Sequence, residues 1–212
     1  ETINYHQNNS YGLDEHCDNA RDKIQEVLEN YGVDIHFITG GTLTNLTFLS
    51  HALRPYEAVI SADTGHINTH ETGAIEASGH KVLSIPCTDG KLTADLIRPV
   101  LKQHENEHWV EPRLVYISLP TELGTVYTKE ELEKLYQFCK RHSLYLYIDG
   151  ARLAMALAVE ETQLTLKDLP DLCDAFYIGG TKNGAMFGEA LILVNDDLKD
   201  HFRFNMKQRG AI

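Results

Sequence analysis

Long apolar runs are missing from this chain. None approaches the roughly 18 residues of a membrane-spanning helix, and residues 1–30 do not read as a secretory leader. Positive charge is scarce. Nineteen Lys and Arg stand against 31 Asp and Glu, a net charge of −12, which argues against nucleic acid or an anionic membrane as the main partner. The four cysteines (Cys17, Cys87, Cys139, Cys173) are far apart and form no CxxC pair. That fits the reduced thiols of a cytoplasmic protein better than a disulfide framework. No internal repeat or low-complexity linker divides the chain.

What is present is alternation. Apolar residues at helical spacing mark 14–31, with Gly32 as a stop. Strand patterns follow at 33–39, 57–62, 81–86, 113–120, 144–149, 175–180 and 189–195. Helices are expected between them at 43–53, 67–79, 93–104 and 128–142, and after them at 196–210. The clearest is TKEELEKLYQFCKRH, where Thr128 and Glu131 form a capping box. Alternating β and α elements imply an α/β fold: a mainly parallel seven-stranded sheet in a three-layer αβα sandwich. In such sheets ligands bind beyond the carboxyl ends of the strands. The candidate positions are therefore 39–42, 62–66, 120–122, 149–152 and 179–182.

Each position offers chemistry beside a plainer reading. In GGTLTNL, Gly41 and Thr42 open a helix whose free N–H groups favour an anion, or they simply make a turn. Asp149 ends an apolar strand and needs a donor; Arg152, three residues on, is one partner. Lys182 follows Gly179, Gly180 and Thr181 without Walker spacing, so a P-loop is excluded. A partly buried lysine beside another cation carries more free amine and attacks aldehydes. The surrounding glycines suggest room for a cofactor to approach the backbone. His66 and His70 have helical i,i+4 spacing, but no third metal ligand follows in the pattern. HENEH (His104, Glu105, His108) is a literal HExxH, which would suit a zinc hydrolase, yet it sits in a polar helix end without a downstream ligand. No metal is expected.

Taken in order, GGT (40–42), the GHI histidine, DGARL (149–153) and the GGTK lysine resemble the threonine aldolase/β-eliminating lyase family from about Tyr11 onward. The resemblance implies the large domain of a fold-type-I enzyme dependent on pyridoxal 5'-phosphate (PLP). It implies Lys182 as the Schiff-base lysine, Asp149 at the pyridine nitrogen and His66 on the ring face. Gly41, Thr42 and Thr181 would hold the phosphate, and Arg152 would lie near the cofactor oxygen and substrate carboxylate. Tyr11–Gly12 resembles a loop that approaches the site. Where members carry Asn-Thr-His after the fourth strand, this chain reads PTELG, which places Glu122 at the histidine's position. The implied reaction is retro-aldol cleavage of a β-hydroxy amino acid to glycine and an aldehyde, with Lys182, His66 and Glu122 as catalytic residues. The alternatives are β-elimination, a transaminase or racemase of the same fold, or a silent PLP-binding domain. A homodimer or homotetramer is implied, with the site at a subunit interface. Residues 1–212 read as the cofactor domain of a longer protein, because counterparts of the family's serine-bearing N-terminal segment and small C-terminal domain are not recognised in it.

Overall fold

The computed structural model describes residues 5–212. Fifteen elements alternate: α1 (Glu15–Leu28), β1 (Asp34–Ile38), α2 (Gly41–Ala52), β2 (Glu57–Ala62), α3 (His66–Thr69), α4 (Ala74–Ala77), β3 (Val82–Ile85), α5 (Ala94–Gln103), β4 (Glu111–Ser118), α6 (Lys129–Arg141), β5 (Tyr145–Asp149), α7 (Leu153–Leu157), β6 (Ala175–Gly179), β7 (Glu189–Leu193) and α8 (Phe202–Gln208). Short 3-10 turns lie at 160–162, 166–171 and 196–198. The seven expected strands form one sheet in the order β1-β7-β6-β5-β4-β2-β3. Only β7 runs against the rest. No helix among the described residues is long and apolar enough to cross a membrane.

The strand period of two sorts the core into two layers. Leu146 and Ile148 of β5 join Val115, Ile117, Phe176 and Ile192 in one cluster, covered by Leu132, Leu135 and Phe138 of α6 and Ile97 of α5. Tyr147 joins Tyr116, Tyr177, Leu191 and Leu193 in the other, covered by Phe48 and Leu49 of α2 and Phe202 and Met206 of α8. Asp149 stands two residues beyond Tyr147, so it faces the α2 side.

The caps follow the sequence. Thr128 and Glu131 form the reciprocal capping box of α6, and Thr93 caps α5. Two expected helices are broken. Within 67–79, Thr72 and Gly73 adopt positive φ (53° and 70°), which splits the segment into α3 and α4. Within 196–210, His201 does the same (φ 57°), so that segment becomes a 3-10 turn followed by α8.

Candidate active site

The parallel strands end along one edge. Because β7 runs antiparallel, its first residue lies there too: Glu189 pairs with Gly179 on one side and Ile38 on the other. The candidate positions of all five loops therefore lie along this edge.

Asp149 is the centre. It is 4% exposed. Its Oδ2 accepts from Tyr116 Oη at 2.6 Å and Asn45 Nδ2 at 2.9 Å. Its Oδ1 accepts from Tyr177 Oη and from the Ala151 N–H at 3.1 Å. Four donors match the four lone-pair sites of a carboxylate. Burial, and then the Asp149 charge, push the Tyr116 and Tyr177 phenols well above their ordinary range, so both remain donors. The expected Asp149–Arg152 pair is not formed. Arg152 is exposed and makes no ion pair among the described residues. Tyrosine and asparagine take the place of the arginine.

Asn45 links this centre to His66. Its Nδ2 donates to Asp149 and, at 2.7 Å, to Glu71 Oε1, while its Oδ1 accepts from Tyr147 Oη at 3.0 Å. These three contacts fix the amide's orientation. Glu71 Oε1 also meets His66 Nδ1 at 2.8 Å. The bond from Glu71 raises the His66 pKa above its usual value, against the opposing effect of burial. His66 and His70 stack with ring centroids 5.3 Å apart, inclined by 17°. His66, Glu71 and Asp149 bring ligand-type atoms within 4.8 Å of one another, but an Asn45 N–H points at each carboxylate, which opposes a cation between them. Glu122 Oε1 accepts from the His66 backbone N–H at 2.8 Å and from Ser118 Oγ at 2.6 Å. It thus holds the start of α3 from the neighbouring loop.

Lys182 lies in the turn between β6 and β7 and is exposed, not partly buried as the sequence suggested. His66 is near enough for the two cations to oppose each other. The glycines before Lys182 do not leave room for a cofactor. A Cβ on Gly179 would stand 2.3 Å from the Ala151 carbonyl oxygen, and one on Gly180 would stand 2.5 Å from that of Gly188. Strand-end backbone fills both spaces. Gly180 N–H donates to Glu189 at 2.8 Å, and Thr181 Oγ1 accepts from Gly188 N–H at 3.0 Å. Burial raises the Glu189 carboxyl, while the Gly180 N–H, the Thr181 hydroxyl and Lys182 oppose that rise.

The start of α2 completes the edge. Gly40 offers no side-chain cap, and Gly41 and Thr42 stand in the first turn. Their N–H groups have no acceptor within the helix. Thr42 is exposed. Tyr11 rests under Lys207 and Gly12 O accepts from Arg21, and both line one cavity with Thr39 at the end of β1. HENEH is not a helical zinc motif. His104 closes α5 with Nδ1 on the Val110 carbonyl oxygen at 2.7 Å, and the next four residues leave the helix.

Residues 5–211 match the family described as Beta-eliminating lyase. The chain belongs to that family. Among curated relatives, it is 35% identical to a low specificity L-threonine aldolase of a Pseudomonas species, over all of this chain and 62% of that protein. A solved Leishmania major threonine aldolase matches 97% of this chain and 60% of its own, with 57% identity and a TM-score of 0.95. Aspartate aminotransferase of Thermus thermophilus, at 17% identity and TM-score 0.65 over 84% of this chain and 45% of its own, shares the fold. The chain spans about three fifths of the length of the curated relatives named first.

The residues that sequence reasoning missed are Asn45, Glu71, Tyr116, Tyr177 and Glu189. The strand period carried a signal for two of them. Tyr116 and Tyr177 have the parity that sets them beside Tyr147 and Asp149. No local pattern marks Asn45, whose partners Glu71 and Asp149 lie 26 and 104 residues away, and Glu71 meets His66 only because the chain turns at the end of α3.

Proposed function

We propose that this chain is the cofactor-binding domain of a PLP-dependent lyase that cleaves the Cα–Cβ bond of a β-hydroxy amino acid, giving glycine and an aldehyde. The observation that carries this reading is Asp149, a buried carboxylate with four donors around it, set between an uncapped helix start and an exposed lysine. The residues fit PLP. A fixed carboxylate suits the ring nitrogen, and the anionic phosphate suits the free N–H groups of Gly41 and Thr42, with Thr181 as a further phosphate contact. Lys182 is unencumbered and close to His66, which suits attachment of an aldehyde. Arg152 is free to meet a carboxylate.

Bound PLP supplies the electron sink for the pair left on the α-carbon. The chain does the rest. Asp149 keeps its acceptor geometry through Tyr116, Tyr177 and Asn45. His66 would face the ring, held by Glu71 at its Nδ1 and by Glu122 at its backbone N–H. Glu122 Oε2 has no hydrogen-bond partner among the described residues; acting as base, it would take the substrate hydroxyl proton, a step worth roughly 10²–10⁴-fold when the base is placed. We also propose a homodimer or homotetramer, since Met186 (96% exposed) and Phe187 flank the Lys182 loop, and a cytoplasmic setting, since all four cysteines are free thiols.

Product analysis of the full-length protein supplied with PLP tests the reaction. L-Threonine should give glycine and acetaldehyde. Ammonia and an oxo acid from serine, without glycine from threonine, would assign it to β-elimination instead.

A further inference from the structure

Glu71 lies outside every motif that pointed to the site, yet it touches the site's histidine. Its side chain is wholly buried. One oxygen, Oε1, contacts both His66 Nδ1 and Asn45 Nδ2; the other, Oε2, is buried and has no partner among the described residues. A buried carboxylate needs a counter-charge as well as donors. Among the described residues, His66 is the only cationic side chain that Glu71 contacts.

We propose that Glu71 is a positioning residue that fixes the His66 ring through Nδ1 and keeps it as imidazolium, so that Nε2–H is a donor at the ring's far edge. Asn45 keeps Glu71 in place and ties it to Asp149 by its second N–H. This inference rests on the proposed ring-face role for His66 only in what Nε2 would meet; the pair itself is a property of the chain alone.

The groups around His66 act in both directions. Glu71 and, more weakly, Asp149 of β5 favour its charge, while Lys182 of the β6–β7 loop and burial oppose it. His70 stacks on the ring, and Glu122 reaches the His66 backbone N–H from the β4–α6 loop. Glu71 makes the shortest of these contacts to the ring, at 2.8 Å, and is the largest single influence on its protonation. A merely structural hydrogen bond would survive replacement of Glu71 by its amide. An electrostatic one would not.

The experiment is an NMR titration of His66 in the full-length protein without PLP, assigned with His66→Gln. In the wild type, His66 should titrate above the ordinary value of about 6.5, with Nδ1 protonated. Glu71→Gln should lower its midpoint by about 1–3 pH units, and Glu71→Asp should lower it less. An unchanged midpoint in a folded Glu71→Gln protein overturns the proposal, as does a wild-type His66 that is neutral at pH 7. If Glu71→Gln does not fold, the wild-type midpoint and the ¹⁵N signature of Nδ1 decide alone. PLP binding does not enter the titration, so failure of the lyase reading and failure of this one are told apart.

Discussion

Replacing Tyr177 by Phe tests the hydrogen-bonded centre with little change in shape. The ring is buried in the core under α2, and only the hydroxyl is lost. Asp149 would keep Tyr116 Oη, Asn45 Nδ2 and the Ala151 N–H. A hydrogen bond to a charged group contributes roughly 1.5–3 kcal/mol, and the three surviving donors place the loss near the lower figure. A urea slope of about 2–3 kcal/mol per molar suits a chain of this size, so the midpoint should fall by about 0.5–1 M with the slope unchanged. Far-UV circular dichroism measures both. Asp149→Ala should cost more, about 3 kcal/mol or above, because it strands two phenols and an amide N–H in the core, each at roughly 1–3 kcal/mol. An unchanged midpoint for Tyr177→Phe, or a smaller loss for Asp149→Ala, would refute the reasoning.

Acid should weaken the fold through His36. Burial, with Arg203 and Arg21 nearby, lowers this histidine to about 4. The unfolded chain takes up a proton near pH 6.5 that the folded chain refuses until about pH 4, so stability falls as pH drops across that window. The full gap corresponds to roughly 3 kcal/mol. Urea midpoints at pH 7 and pH 5 should differ in the wild type and differ less in His36→Leu. Gly150→Ala should be among the most damaging glycine changes, since its Cβ would lie 1.9 Å from the Tyr177 carbonyl oxygen. Backbone must shift, at about 1–3 kcal/mol or more, and thermal unfolding will register it; a melting temperature equal to wild type would contradict that close approach.

Periodicity made the scaffold legible. Alternating runs placed all seven strands, and the rule that ligands bind beyond strand ends drew Gly41, His66, Glu122, Asp149 and Lys182 to one edge. It could not supply what binds them together. Asn45 and Asp149 are 104 residues apart in sequence, and the amide is read as a bridge only once α2 lies over β5. The carboxylate–arginine pair looked natural because Arg152 is close along the chain, but the turn into α7 leaves it exposed. Similarly, the sequence suggests room for a cofactor around the Lys182 glycines. Neighbouring backbone at Ala151 and Gly188, a tertiary feature, is what demands them. Positive φ at Thr72 and His201 broke two helices whose apolar spacing ran on through the break.

Lys182 is the proposed attachment point of the cofactor. Full-length protein incubated with PLP, reduced with borohydride and digested should yield the pyridoxyl label on the peptide bearing Lys182, and Lys182→Ala should yield none. A label on another lysine, or equal labelling in Lys182→Ala, would contradict the account.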